Sequence, residues 1–307
     1  MTQVSAGLLS LTLSIKRCDL ISTALAIRPA PFYPSPMIPP ELFNTTVQSA
    51  KRARATKAGM FLQELSRDEI LERLEAVNRS FKKIAIVTGH PEIWASSLSE
   101  ATIIPDEDTL GLEVGAYDLV IHSIALHHCN DPIGQVVQCG RGLQPDGLFL
   151  ASCFGGQTLA ELRATLSVAE TNLRGGLSPR VSPMAEIREL GAVLQRAGLA
   201  LPVVDSLKIP TSYRDLYHLM RDLRAMGETN IMTARVTSLT ARTLFERTQK
   251  IYAEEYSDPM GRLNCTFELI FLTGWAPDAS QPTPLKPGSV SKTLQQALKE
   301  AKKSSNN

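Results

Sequence analysis

Histidine is the residue type whose placement in this chain most directly suggests chemistry. His122 lies in an apolar run, and His127 and His128 follow it in Leu126-His-His-Cys-Asn-Asp131. An imidazole can transfer a proton near neutral pH or ligate a metal ion. Adjacent side chains diverge, and no pair of acids or pair of histidines lies nearby at i,i+4 spacing. The pattern therefore predicts polar crevice residues, or partly buried and hydrogen-bonded histidines, and no metal site.

Glycines follow two of the predicted strands, where a backbone can approach a ligand closely. Gly89 comes after Ile84–Val87, and Gly155 and Gly156 follow an apolar run that ends at Phe154. Such loops either close over a substrate or are ordinary turns, and composition does not distinguish the two. The sequence has no G-x-S-x-G, P-loop or H-E-x-x-H motif, which disfavours the usual hydrolase, phosphoryl-transfer and metalloprotease functions.

The overall composition is that of a globular protein with little net charge. Of 307 residues, 43% are hydrophobic, and 32 Lys and Arg nearly balance 31 Asp and Glu. The net charge of +1 gives no electrostatic reason to expect nucleic acid or a membrane surface as a partner. Five scattered cysteines without C-x-x-C spacing are expected to be reduced thiols. The longest apolar run near the start, residues 6–15, is too short to span a bilayer.

Strand and helix patterns alternate along the chain. A helix over 60–78 precedes a strand at 84–87, and a further helix is expected from Pro91 past Leu98. The predicted strands that follow are 117–123, 148–154, 202–209 and 265–272, with helices at 131–143, 157–170, 184–197, 212–226 and 239–256 and a turn at 144–147. This order predicts a Rossmann-like α/β domain with a parallel sheet, in which the last strand is an edge addition. A ligand is expected at the carboxyl ends of the strands.

The expected organisation has four parts. Residues 1–36 form a disordered extension, which is either an organellar transit peptide or the result of a start codon upstream of Met37. Residues 37–80 form an N-terminal helical segment, residues 81–276 the α/β domain and residues 277–307 a tail. Removing residues 1–36 is expected to leave stability unchanged.

Longer motifs occupy the second half of the chain: Tyr117–Ser123, Ala125–Asp131, Leu143–Leu150, Phe154–Arg163, Gly175–Pro183, Leu190–Gly198 and Met220–Asn230. Together they resemble class I S-adenosylmethionine (SAM)-dependent methyltransferases. They are most similar to the branch that contains a complex I assembly factor known as an arginine hydroxylase, whose broader relatives include the malonyl-carrier-protein O-methyltransferase of biotin synthesis. The similarity covers roughly residues 41–295.

The resemblance implies SAM as the cofactor, with Gly89, Asp106 and His122 facing it. The implied substrate side comprises His127, His128, Phe154, Gly155 and Gly156, and no catalytic residue is identified. All of these residues are expected to converge at one crevice, where only one of the two adjacent histidines faces the ligand.

Two departures from the family pattern concern the cofactor side. The glycine-rich acidic loop of these methyltransferases is replaced by Val87-Thr-Gly-His-Pro91. Fewer than thirty residues separate Gly89 from Tyr117, so the usual second strand and its helix are expected to be missing. Ile84–Val87 should then lie beside 102–105. These losses remove two or three hydrogen bonds to SAM, at roughly 1.5–3 kcal/mol each.

The resemblance implies a methyltransferase-like protein that modifies a respiratory-complex subunit or assists its assembly. The alternative is a non-catalytic assembly or binding protein that no longer uses SAM. The expected location is the cytoplasm, or the mitochondrial matrix if residues 1–36 are a transit peptide.

Overall fold

The structure is a computed structural model, and it describes residues 41–282. The expectations for residues 1–36, and for all but the first few residues of the 277–307 tail, lie outside the described residues. No helix in the described part of the chain is both long enough and apolar enough to cross a membrane.

The described chain contains seven α-helices and six strands. The helices are α1 (Thr45–Arg52), α2 (Phe61–Ala76), α3 (Pro132–Gly142), α4 (Ala160–Arg174), α5 (Ile187–Arg196), α6 (Leu216–Ala225) and α7 (Arg242–Tyr256). The strands are β1 (Ile84–Thr88), β2 (Thr102–Ile104), β3 (Tyr117–Ser123), β4 (Leu143–Phe154), β5 (Ala200–Tyr213) and β6 (Leu263–Trp275). The alternation of strands and helices predicted from the sequence is confirmed.

All six strands form one sheet in the order β2-β1-β3-β4-β6-β5. Strands β2, β1, β3 and β4 are parallel, and β6 is antiparallel to both β4 and β5. The prediction that the last strand is an edge addition is wrong, because β6 inserts between β4 and β5 and leaves β5 at the edge. An edge position would have left the buried residues of β6, such as Leu269 and Leu272, without a neighbouring strand on one side.

The prediction that the short connection after β1 places residues 84–87 beside the segment at 102–105 is confirmed. Ala85, Ile86 and Val87 pair with Thr102, Ile103 and Ile104, so β2 lies directly beside β1. The predicted helix from Pro91 past Leu98 is wrong, since only a 3-10 turn forms at Pro91–Ile93 before a series of turns. Trp94 lies in the core with no exposed surface. The eight residues 94–101 that precede β2 are too few to form both a strand and a helix.

Two apolar clusters cover the two faces of the sheet. Leu119 and Ile121 of β3 belong to one cluster and Val120 to the other, as the alternation of side chains along a strand requires. Helices α2, α4, α6 and α7 contribute buried residues to the first cluster, whereas α3 and α5 contribute to the second. The predicted turn at 144–147 is an irregular start of β4, where Asp146 has a φ of +60°.

The segment before α2, which contains α1, contacts the loop after α6. Phe43 forms a β-bridge with Met232, and the Asn44 backbone N–H donates to the Ile231 carbonyl at 2.9 Å. The side chain of Asn44 caps α1 by accepting a hydrogen bond from Val47 N at 2.9 Å. Helix α1 is thereby held over the carboxyl edge of the sheet.

Candidate functional site

A strained turn at the end of β3 positions the two adjacent histidines. Ile124 has a φ of +39°, which is rare for a β-branched residue, and its N–H donates to Ser152 Oγ at 3.2 Å. Ser66 of α2 donates to the same hydroxyl at 2.7 Å. The chain then makes a 3-10 turn at Leu126–His128. Backbone strain held by a buried network is common where a protein positions functional groups.

His127 and His128 both face the carboxylate of Glu228. His127 Nε2 lies 3.3 Å and His128 Nδ1 3.5 Å from Glu228 Oε2, and the two ring centroids are 4.1 Å apart. The two rings thus converge on one carboxylate, although adjacent side chains were expected to diverge, and His128 is the one of the two that also lines a pocket. The tight 3-10 turn lets one ring use its Nε2 and the other its Nδ1, so that the two nitrogens converge.

Glu228 reaches this site because of the way α6 ends. Gly227 has a φ of +80°, and Glu228 N donates to Leu223 O at 3.0 Å, which is the Schellman arrangement. The reversal of the chain turns the next side chain back into the protein. Sequence reasoning did not single out Glu228, although a glycine directly after a predicted amphipathic helix, followed by an acid, was the available signal.

The three side chains are nearly enclosed. The exposed fraction is 0% for His127, 5% for His128 and 7% for Glu228. Burial lowers the pKa of His128 well below its ordinary value, so that this ring is neutral near pH 7. Burial by itself would raise the pKa of Glu228, but the hydrogen bond with His127 and the nearby Arg52 guanidinium outweigh it and hold that pKa below its ordinary value.

The cluster borders a pocket of about 570 Å³ at this edge, which we call the main pocket. His128, Glu228 and Phe154 are on its wall, together with apolar side chains of α4, α6 and the 180–184 loop. The apolar residues include Leu162, Leu166, Met184, Leu216, Met220 and Leu223. Its size and lining are those of a site for a small molecule or a long side chain.

A second cavity of about 770 Å³, the cofactor-side cavity, contains Gly89 and Asp106. Arg52 of α1 forms an ion pair with Asp106, and both side chains are about nine-tenths buried. The Arg52 guanidinium also lies directly over Gly89, where a Cβ would collide with it. Lys51, the preceding residue, borders the main pocket instead and donates to the Asn230 carbonyl. The end of α1 thus lies between the two cavities.

The residues expected at one crevice therefore divide into separate groups. Gly89 and Asp106 face the cofactor-side cavity, while His128 and Phe154 face the main pocket. His122 borders neither cavity, since it is fully buried with its Nε2 2.9 Å from Gln135 Oε1. The topological argument correctly brought the strand ends to one edge, but it could not foresee that α1 would enter between them.

Gly155 and Gly156 lie in close contact with side chains of the protein. A Cβ at Gly155 would collide with the carboxylate of Glu268 and with Ile270, and one at Gly156 with the carboxylate of Glu186. The Gly155 N–H donates to the Glu268 carbonyl at 2.9 Å. These contacts favour the interpretation of this loop as a turn that joins β4 to α4.

The cofactor-side residues as arranged do not fit SAM. Asp106 is engaged by Arg52, and the space over the one glycine of the β1 loop is filled by the same guanidinium. Arg52 Nη2 is buried and has no hydrogen-bond partner among residues 41–282. The ion pair would have to break before an adenosyl group could contact Gly89 and Asp106.

The fold is that of a Rossmann-like class I methyltransferase with a shortened first half, in which the antiparallel β6 lies between β4 and β5. A search of family models gives no match. The chain is 34% identical over 226 residues to the zebrafish (Danio rerio) protein "Arginine-hydroxylase NDUFAF5, mitochondrial", covering 73% of this chain and 70% of that protein. It belongs to the NDUFAF5 arginine-hydroxylase family.

Further similar proteins are a second NDUFAF5 protein, a methyltransferase and a solved structure. The Dictyostelium discoideum NDUFAF5 protein is 40% identical over 59% of this chain and 42% of its own length. The malonyl-[acyl-carrier protein] O-methyltransferase of Laribacter hongkongensis is 31% identical over 58% of each chain. Among solved structures, the Bacillus YcgJ protein has a TM-score of 0.41 at 15% identity, covering 64% of this chain and 82% of its own. The expectation of a cytoplasmic protein finds no support, since the NDUFAF5 relatives are named as mitochondrial.

Proposed function

We propose that this protein acts in mitochondria on an arginine-bearing segment of a respiratory complex I subunit, and that it does so without SAM. The observation that carries the proposal is the contrast between the two cavities. The main pocket has His128 and Glu228 on its wall, whereas in the larger cofactor-side cavity Arg52 pairs with Asp106 and its guanidinium covers Gly89. The names of the relatives supply the arginine, and the family resemblance supplies complex I.

The main pocket suits a long side chain with methylene groups. Its wall carries leucine, methionine and phenylalanine side chains, against which methylenes can pack, together with the polar side chains of His128 and Glu228. Two of the cations on the wall are already engaged, because Lys51 donates to the Asn230 carbonyl and Arg180 pairs with Glu170 at 2.7 Å. Glu228 is the one acid among the described residues that line the main pocket, so it is the group that could pair with an incoming cation.

Rescue of zebrafish cells that lack the NDUFAF5 relative tests the proposal. The chain is expressed with a mitochondrial targeting sequence, mature complex I is measured on native gels, and arginine peptides of its subunits are analysed by mass spectrometry. We expect rescue by the unaltered chain and by Met260→Trp, whose residue is 84% exposed and does not border the main pocket. We expect Met220→Trp, which fills the pocket, to fail.

The mass of the arginine peptides separates the candidate functions. Added oxygen supports modification by hydroxylation, and an added methyl group contradicts the proposal that SAM is not used. Restored complex I with unmodified arginine supports the second candidate, a non-catalytic assembly protein. The position of Arg52, paired with Asp106 and over Gly89, favours that candidate over a methyltransferase.

Titration with SAM tests directly whether Arg52 prevents SAM from binding at Gly89 and Asp106. We expect no binding heat from the unaltered protein at millimolar SAM, and measurable binding by Arg52→Ala, because the substitution frees Asp106 and uncovers Gly89. Losing the competing ion pair should improve affinity at least about tenfold. Arg54→Ala removes an exposed charge two residues away and serves as the control. Tight binding by the unaltered protein, unchanged in Arg52→Ala, would refute the proposal.

A further inference from the structure

We propose that His127, His128 and Glu228 form a binding site for one divalent first-row transition-metal ion on the wall of the main pocket. This inference goes beyond the proposed function and does not depend on which segment the pocket binds. One ligand atom from each of the three side chains lies within 4.8 Å of the other two. The donor set of two imidazoles and one carboxylate is the one that holds non-haem iron(II) in many oxygenases.

The distances are longer than those of strong charge-assisted hydrogen bonds and are compatible with donors arranged around an ion. A charge-assisted hydrogen bond to a carboxylate is about 2.7–2.9 Å long. Here the two imidazole nitrogens lie 3.3 and 3.5 Å from the same oxygen of Glu228. With metal–ligand bonds of about 2.0–2.1 Å, neighbouring donors lie about 2.9 Å apart around an octahedral ion and about 3.3 Å apart around a tetrahedral one.

The hydrogen bonding of the cluster is incomplete without a further partner. Glu228 Oε1 and His127 Nδ1 are buried and accept or donate no hydrogen bond within the described part of the chain. A buried carboxylate oxygen without a partner costs free energy, so such atoms in a folded protein usually mark a missing water, ion or ligand. The unpartnered oxygen belongs to the carboxylate that both histidines face.

The rings are held in place by the protein. The ring of Phe154 packs edge-on against His127 at 4.8 Å between centroids, and Phe43 packs edge-on against His128 at 5.2 Å. The Schellman turn at Gly227 fixes the direction of Glu228. A site whose ligands are positioned in advance loses little side-chain entropy when the ion binds.

The position of the cluster leaves part of the coordination sphere open. Three protein ligands are too few to saturate a tetrahedral or octahedral ion, and His128 and Glu228 both border the main pocket. The remaining positions therefore face the space in which a substrate would lie. An arrangement of three ligands and open positions is typical of catalytic rather than structural metal sites.

Cobalt(II) binding tests the site, because its visible absorption reports the ligand geometry. The full chain, with any purification tag removed, is titrated under argon, and bound cobalt is measured by equilibrium dialysis. We expect one equivalent per chain with visible d–d bands, and competition by iron(II) and zinc but not by magnesium, which prefers oxygen ligands. No stoichiometric binding, or equal displacement by magnesium, would overturn the proposal.

Variants assign the ligands. Glu228→Gln and His128→Gln should weaken cobalt affinity by at least about 100-fold, more than the roughly 10–100-fold effect of changing residues that only orient a ligand. His218→Gln, a histidine on α6 that lies outside the cluster, should bind like the unaltered protein. Circular dichroism checks that each variant is folded. If a variant does not fold, the melting temperature of the unaltered protein still decides, since it should rise with cobalt concentration. Cobalt binding unchanged in a folded Glu228→Gln variant, or a melting temperature that cobalt leaves unchanged, would exclude the site.

Discussion

Two charged side chains, Arg52 and Glu228, reach the carboxyl edge of the sheet from distant parts of the chain. Arg52 occupies Asp106 in the cofactor-side cavity through an ion pair, while Glu228 gives the main pocket an ionised carboxylate. A third buried charge, Glu170, holds the loop that borders the main pocket. Its carboxylate accepts from Arg180 at 2.7 Å and from the Ser178 N–H at 2.9 Å.

Replacing Arg180 with Ala should destabilise the protein, because Glu170 is 1% exposed and would lose its charged partner. We expect a loss of about 1–3 kcal/mol in the free energy of unfolding, measured by urea denaturation. Arg174→Ala is the matched control, since that guanidinium is 42% exposed and lies 3.6 Å from the same carboxylate. Equal effects of the two substitutions would contradict this assignment.

The same ion pair predicts a pH dependence. Burial alone would raise the pKa of Glu170, but Arg180 and Ser178 lower it below the ordinary value of 4.5. Because the folded-state pKa is depressed, the stabilisation is fully present above the unfolded pKa and is lost as pH falls through the folded pKa. The stability difference between the unaltered protein and Glu170→Gln should therefore shrink below about pH 4, and a constant difference down to pH 2 would argue against it.

At the scale of the secondary-structure elements, the turn between β3 and the 3-10 turn decides where the histidines lie. Its φ of +39° at Ile124 persists because Ser152 of β4 accepts the Ile124 N–H, and Ser66 of α2 joins the same network. Three elements are thus tied together directly behind the histidine pair. Ser66 and Ser152 are both fully buried.

Replacing Ser152 with Ala should leave the Ile124 N–H and the Ser66 hydroxyl without this partner. We expect a loss of about 1–3 kcal/mol in the free energy of unfolding, seen as a lower melting temperature. The control is Ser206→Ala at an exposed position of β5, which should melt within about a degree of the unaltered protein. A Ser152→Ala protein that melts like this control would show that the network does not hold the turn.

Across the whole molecule, the segment before α2 connects the sheet to the loop after α6. Asn130 holds this segment with two hydrogen bonds, accepting from Phe43 N at 2.9 Å and donating to Phe43 O at 3.0 Å. The Thr233 N–H donates to Leu42 O at 2.9 Å on the other side. These contacts keep Lys51 and Arg52 at the two cavities.

Replacing Asn130 with Ala should loosen this segment without unfolding the sheet. We expect amide hydrogen exchange to accelerate in residues 43–52, because the two hydrogen bonds contribute about 1–3 kcal/mol together. Asn264→Ala on β6, whose side chain makes no hydrogen bond within residues 41–282, is the control. Unchanged exchange in residues 43–52 would mean that other contacts hold α1 in place.

The sequence by itself was sufficient to predict the order of strands and helices and the protein family. It also predicted that the strand and helix that usually follow β1 in this fold are missing. Hydrophobic periodicity is a local property of the chain, and the number of residues between Gly89 and Tyr117 limits what can fold there. The resemblance rests on motifs that are each contiguous. Ile84–Val87 beside 102–104 follows from these facts alone.

Only the tertiary structure decided the arrangement of the site. Glu228 meets a histidine 101 residues away, and Arg52 meets an aspartate 54 residues away. No spacing rule for a helix or strand relates residues so far apart, because such contacts depend on how all the elements pack. The same holds for β6, whose place between β4 and β5 depends on which strands remain to be paired once the parallel half of the sheet has formed.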